Sequence, residues 1–318
     1  MNGGISLNSP VSFERKGRKT GLFLILLIYC GAVLFGLWIF RSFLSDLLFP
    51  YSLLIADVTA TLFVFLFSLI FRNASVYDPY WSVQPPVILF AFALSSSFTP
   101  LSVLLLLSVF FWGIRLTVNW IRTFQSLEKQ DWRYDLLREK SGPFYFFVNL
   151  FGIHLVPTLV VFLCILPPVT AVRNGSVLNP LSALFGFLSF GAVILEWTAD
   201  RQMRRFRETR SGSLIRTGLW RYSRHPNYLG EILYWWCMGL SAVFAVPGAW
   251  AGLAGAAVNT VLFLTVSIPM ADRRQSGKPG FDLYRSETRM LLPLRKPLFC
   301  LHSENRVNNP GEETDTAP

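Results

Sequence analysis

The chain has 318 residues, 52% of them hydrophobic and only 15% charged, with 29 phenylalanines and 10 tryptophans. Soluble domains carry roughly 25% charged residues, and the apolar residues here gather in runs near the roughly 20 needed to cross a bilayer as a helix. That combination excludes a soluble globular protein, and the net charge of +10 then reports orientation in a membrane rather than nucleic-acid binding.

The first 20 residues are basic ("FERKGRKT"), without the architecture of a cleavable signal, and are expected to be a cytoplasmic N-terminus. Apolar spans are expected at roughly 21–40, 52–71, 83–99, 101–119, 144–166, 180–198, 228–246 and 249–269. The third is short and follows Pro85-Pro86, so the count is seven or eight. With both termini cytoplasmic, 26 of the 29 Lys and Arg residues fall inside; Arg41 and Arg173 fall outside and Arg115 lies within a span. The expected fold is therefore an all-α, polytopic transmembrane helix bundle in a bacterial inner membrane or the endoplasmic reticulum. Two glycosylation sequons occur, at Asn73 and Asn174, and this topology puts only the second outside. Residues 296–318 are polar and aperiodic and read as a disordered tail.

Cys30, Cys164, Cys237 and Cys300 are scattered without a C-x-x-C, and His154, His225 and His302 form no cluster, so no metal site is expected. His154, in an apolar span, reads as a packed core histidine. Neither G-x-G-x-x-G nor a P-loop occurs, which removes the soluble nucleotide-binding folds.

The polar residues that carry chemistry gather on the cytoplasmic side. Glu196, Asp200, Arg204 and Arg207 are spaced to share one face if the helix continues past the span. Between 201 and 224 there are eight arginines and no lysine; the planar guanidinium suits bidentate capture of phosphate. "RYSRHPNYLGEILYWW" (221–236) then opens the next span. Pro226 suits a first helical turn, whose free N–H groups and dipole favour an anion. Arg221, Arg224 and His225 add cation there, while Asn227 and Glu231 face one direction within the helix. A carboxylate inside a membrane is costly and marks a functional site by default. The ligand expected has an anionic end at the surface and a polar end deeper in, as a nucleotide cofactor does. The blander alternative is a solvated loop that sets orientation, with His225 only bonding the helix start.

"GLWRYSRHPNYLGEILYWW" resembles the C-terminal signature of the steroid 5α-reductase superfamily, closest to its broad microbial branch. "LEWTADRQMRRF" (195–206), "QDWRYDLLREKSG" (130–142), "RLTVNWIRTF" (115–124) and "IPMADRRQSGKPGFDLYRSETRMLLP" (268–293) resemble its other elements. The resemblance covers about residues 75–295 and leaves 21–74 as additional N-terminal membrane helices. It implies a helix bundle that encloses NADPH and reduces a carbon–carbon double bond in a lipid or steroid-like enone. Carried over by position, the cofactor shell would comprise Glu196, Asp200, Arg207, Asn227, Tyr228 and Glu231, with Arg224 and His225 matching an Arg-His pair; Arg273, Arg274 and Tyr284 come from the closing element.

The superfamily's steroid reductases polarise the enone with a tyrosine paired to a glutamate from the first half. Near Arg115 this chain has Trp112 instead, which leaves the acid open. Tyr134 is the first candidate proton donor, and Tyr80 with Asp78 the second; Tyr134 equally suits an aromatic belt beside Trp132. Two other readings stand beside the reductase. Membrane methyltransferases of the isoprenylcysteine or phospholipid type share an "RHP-x-Y-x-G" element and bind S-adenosylmethionine, and a relative without the acid would only bind lipid or sterol.

Overall fold

The computed structural model describes residues 10–44, 47–210 and 212–293; the polar tail and His302 lie outside them. Among the described residues the chain is helical and contains no strand. Two long helices, α1 (Pro10–Phe43) and α2 (Tyr51–Ile70), precede a short turn and α3 (Tyr80–Ser95), followed by α4 (Pro100–Thr123). The amphipathic α5 (Trp132–Ser141) leads through α6 (Tyr145–Phe147) and a π-helical stretch, Val148–Leu155, into α7 (Val156–Arg173). Then come α8 (Pro180–Thr209), α9 (Pro226–Ala245), α10 (Ala254–Leu262), a second π-helical stretch, α11 (Ile268–Ser276) and α12 (Phe281–Glu287).

Six of the described helical segments are long and apolar enough to cross a membrane: 17–43, 51–70, 100–123, 132–173, 180–209 and 249–276. Each overlaps one of the expected spans. The remaining two expected spans are also helices. At 16 residues α3 is short for a crossing, and the 20 residues of α9 include Asn227 and Glu231. The chain is thus an all-α integral membrane protein by the length and composition of its helices. Exposed Leu34, Leu62 and Phe187 give these helices the apolar exterior that lipid requires.

The helix starts are written in the sequence. Thr99 and Ser102 form a reciprocal capping box at α4; Asn179 and Ser182 make the same exchange at α8; and Asp131 caps α5 through the Arg133 N–H.

The described residues fall into two compact units. One runs up to Phe187 and includes Cys237–Val258; the other comprises Leu188–Trp236 and the residues from Asn259 on. In the first, α3, α4 and α7 pack on one another, α2 packs on α7, and α1 lies along α2. A Cβ at Gly113 of α4 would meet the Ser82 carbonyl oxygen at 2.5 Å and Pro86 at 2.8 Å, so this close passage of α3 against α4 needs glycine. The core holds Ile28, Ala60, Val64, Val76, Tyr77 and Tyr80. It also holds polar side chains that an apolar bundle rarely buries: Asp57, Thr61, Gln84, Asn149, His154 and Thr158. In the second unit, Ala199, Ile215 and Trp220 form a smaller core with Met203, Phe206 and Leu219.

Candidate functional site

In the second unit, α8 continues unbroken to Thr209, so Glu196, Asp200, Arg204 and Arg207 do share one helical face. The loop that follows is pinned back onto α8. Gln202 Oε1 accepts the Leu219 N–H at 2.9 Å, and Trp220 Nε1 donates to the Ala199 carbonyl at 3.1 Å. Tyr284 of α12 donates its hydroxyl to the Trp220 carbonyl at 2.6 Å, and burial pushes that phenol well above its ordinary range. The Tyr284 hydroxyl therefore anchors the loop.

Arg224 and His225 turn toward an acid that sequence reasoning missed. Asp272 of α11 takes Arg224 Nη2 on one oxygen at 3.0 Å and His225 Nε2 on the other at 2.9 Å. Arg224 also donates to the Thr288 carbonyl at 2.9 Å, and its backbone N–H to the Arg289 carbonyl at 3.0 Å. The pair thus ties the start of α9 to the closing element. The available signal was the lone acid in "MADRRQ", a carboxylate at the end of an apolar helix beside an unmatched Arg-His pair.

Within α9, Glu231 is buried and accepts the Trp235 indole N–H at 2.8 Å. Asn227 and Tyr228 are half-buried in the first turn, and the Tyr228 ring stacks on His225 with centroids 5.3 Å apart. A Cβ at Gly230 would lie 2.7 Å from Glu196 Cβ and 3.0 Å from the Ala192 carbonyl oxygen. Glycine therefore lets α9 approach α8 beside two buried carboxylic side chains, Glu196 and Glu231.

Arg207, Arg221, Arg273 and Arg274 are exposed. Lys278, just after α11, lies near enough to Arg207 and Arg274 that partial burial, and then these two cations, hold its ammonium below the usual lysine range. The second unit therefore presents an array of cations, and buried and half-buried acids and amides on α8 and α9. These residues fit a ligand with an anionic end and a hydrogen-bonding body.

In the first unit the structure brings together two residues from separate candidate acids. Tyr134 of α5 donates its hydroxyl to Asp78 Oδ1. Burial pushes the Asp78 carboxyl up to about 6, against the opposing pull of Arg133 and of the Tyr134 hydrogen bond. Tyr80 does not join them; its buried hydroxyl reaches Thr61. Asn73 is buried, and its amide donates to the Leu127 carbonyl at 2.6 Å.

A second acid in this unit escaped sequence reasoning. Asp57 of α2 is 4% exposed, and so is Gln84 of α3. Gln84 faces the carboxyl group, yet both Asp57 oxygens and both Gln84 amide atoms lack a hydrogen-bond partner. Tyr80 and Tyr77 lie within electrostatic reach of the same carboxyl. The signal was a single acid in "SLLIADVTATLFVFLF", to which the argument applied to Glu231 extends unchanged. His154 is fully buried, with Nδ1 on the Asn149 carbonyl at 2.9 Å and its ring 4.6 Å from that of Tyr77. Among the described residues no three His, Cys, Asp or Glu side chains gather as metal ligands.

Helices fit to cross a bilayer, buried acids within them and a cation-rich end define a polytopic membrane protein with a built polar interior. Residues 64–288 match the model of a family described as a protein of unknown function (DUF1295). The match spans well over half of the chain, and the protein belongs to that family. No curated protein and no solved structure matches it significantly.

Proposed function

We propose that the protein is a membrane-embedded, NADPH-dependent reductase of a carbon–carbon double bond conjugated to a carbonyl, in a lipid or steroid-like substrate. The observation that carries this reading is the Asp57–Gln84 pair, which face each other in an apolar bundle with all four polar atoms buried and without a well-formed hydrogen bond. Unpartnered buried polar groups cost roughly 1–3 kcal/mol each, a cost that a bound polar group removes. A carbonyl oxygen is such a group, since the Gln84 amide and the Asp57 carboxylic acid both donate to it.

Glu196, Asp200, Asn227, Tyr228 and Glu231 would hold the polar body of NADPH, with Arg207, Arg221, Arg274 and Lys278 on its phosphates. When bound, the dihydronicotinamide would supply the hydride for the reduction. The chain's own residues do the rest. Gln84 and Asp57 bind the carbonyl oxygen and draw electron density from the double bond. Tyr80, beside the same carboxyl, delivers the proton that the α-carbon gains. We place the donor at Tyr80 rather than Tyr134 because Tyr80 lies within electrostatic reach of Asp57, whereas the Tyr134 hydroxyl is on Asp78. The cation-rich ends belong on the cytoplasmic face, in keeping with the distribution of Lys and Arg.

Thermal unfolding of the purified protein with NADPH, NADH and S-adenosylmethionine tests this reading. Stabilisation by NADPH is expected, at about 2.7 kcal/mol when the ligand is at a hundredfold excess over its Kd. Stabilisation by S-adenosylmethionine alone would overturn it in favour of methyl transfer. Next, Asp57→Asn should abolish enone reduction while leaving NADPH stabilisation unchanged.

A further inference from the structure

The first unit contains a row of three hydroxyl groups, on Tyr77, Thr158 and Thr61, that the reading above does not use. Tyr77 Oη lies 2.7 Å from Thr158 Oγ1, which lies 3.0 Å from Thr61 Oγ1; in each contact either oxygen can be the donor. Thr61 also reaches the Tyr80 hydroxyl, and Tyr80 lies beside Asp57. The row joins α2, α3, α7 and the turn before α3. All four residues are at most 2% exposed. At its other end Tyr77 lies within electrostatic reach of Asp78, and Asp78 accepts from Tyr134 among Ser75, Asp131 and Arg133.

We propose that Tyr77, Thr158 and Thr61 form a proton-conducting chain between the Tyr134–Asp78 pair and the Tyr80–Asp57 group. A hydroxyl both donates and accepts, so a proton entering one end of such a row is matched by another leaving the far end. Each O–H that breaks is replaced by one that forms, with no net change in the chain and no redox partner. An interior acid needs such a path, because Asp57 is 4% exposed. Burying an unpaired carboxylate ion costs several kcal/mol, so Asp57 recovers its proton promptly only if one is conducted to it. His154 packs against Tyr77 with Nδ1 held by Asn149 and fixes the phenol toward Thr158. The inference takes from the reductase reading only the identity of Tyr80 as the group that gives up a proton, with Asp57 beside it.

The test reads proton exchange directly, in the full-length protein in lipid nanodiscs without nucleotide or alkene. Infrared spectroscopy follows the carboxylic-acid C=O stretch after transfer into deuterated water, and Asp57→Asn identifies the band by its loss. The wild type should exchange fastest. Thr158→Val and Thr61→Val should each keep the band but slow its exchange about tenfold, the effect of a barrier raised by one lost link, and Thr158→Ser should restore the rate. Two variants keep the test intact should one fail to fold. Exchange at the wild-type rate in the valine variants, or no acid band lost in Asp57→Asn, would overturn the proposal. A protein with this exchange pattern but no reductase activity would refute the reductase reading alone.

Discussion

Tyr134 donates its hydroxyl to the Asp78 carboxylate, which joins α5 to the turn that starts α3. Because burial pushes Asp78 from 3.8 to about 6, the protonated acid is the form the fold prefers. This preference stabilises the protein fully below the unfolded value near 3.8 and is lost as pH rises through about 6. Asp78→Asn, which mimics the neutral acid, should therefore match the wild type near pH 4 and unfold on the order of 5–10 °C higher at pH 7, the worth of about 2–3 kcal/mol. Thermal unfolding of both proteins across this range decides; a constant difference means Asp78 does not titrate there.

Asp272 should be a stability residue before it is anything else. Asp272→Ala removes the shared carboxylate and leaves the largely buried Arg224 without its ion partner. Breaking a buried pair costs roughly 3–5 kcal/mol, and the partial exposure of Asp272, at 18%, reduces this to about 2 kcal/mol. The segment 281–293 should also become the first site of proteolysis, since Arg224 holds Thr288 and Arg289. Unchanged digestion would remove the clamp.

Gly230→Ala should lower thermal stability by about 1–3 kcal/mol through overpacking, because the added carbon meets Glu196 Cβ at 2.7 Å. Gly191→Ala, with nothing within 4 Å, is the control on the same pair of helices. Equal unfolding temperatures for the two variants would show that α8 can yield.

Replacing Arg207, Arg274 and Lys278 together by alanine should weaken NADPH binding by a factor of ten or more, about 1.4 kcal/mol, and NADH binding less. Titrations of both nucleotides at two salt concentrations check this. Equal losses would reduce these cations to setting orientation.

In a glycosylating host, Asn174 should carry a glycan and Asn73 should not. Asn174 is exposed, whereas the amide of Asn73 is buried under the Leu127 and Lys129 carbonyls. An endoglycosidase shift on each Asn→Gln variant reads this directly, and an unglycosylated Asn174 would put that loop on the cytoplasmic side.

The helices were legible because length and hydropathy are local properties. The face through Glu196, Asp200, Arg204 and Arg207 was legible for the same reason, since 3.6-residue periodicity needs no knowledge of the partner. Asp272 was not, because its meaning lies in Arg224 and His225, in the loop before α9 and far away in sequence. Asp57 was visible as an acid in an apolar run, but its unpartnered state depends on where α3 places Gln84. The Tyr134–Asp78 bond likewise joins residues that sequence alone assigned to two competing acids. Composition locates the elements; it does not say which side chains meet.

The continuity of α8 sets a length scale. From Glu196 to Arg207 the helix advances about 16 Å, at 1.5 Å per residue, and an unbroken helix does not let these ends draw together. A ligand that engages both must be elongated and must arrive in one orientation, its charged end toward Arg207. The helix thus serves as a measuring rod: compact anions can occupy one mark on it, and only an extended molecule can read the whole scale.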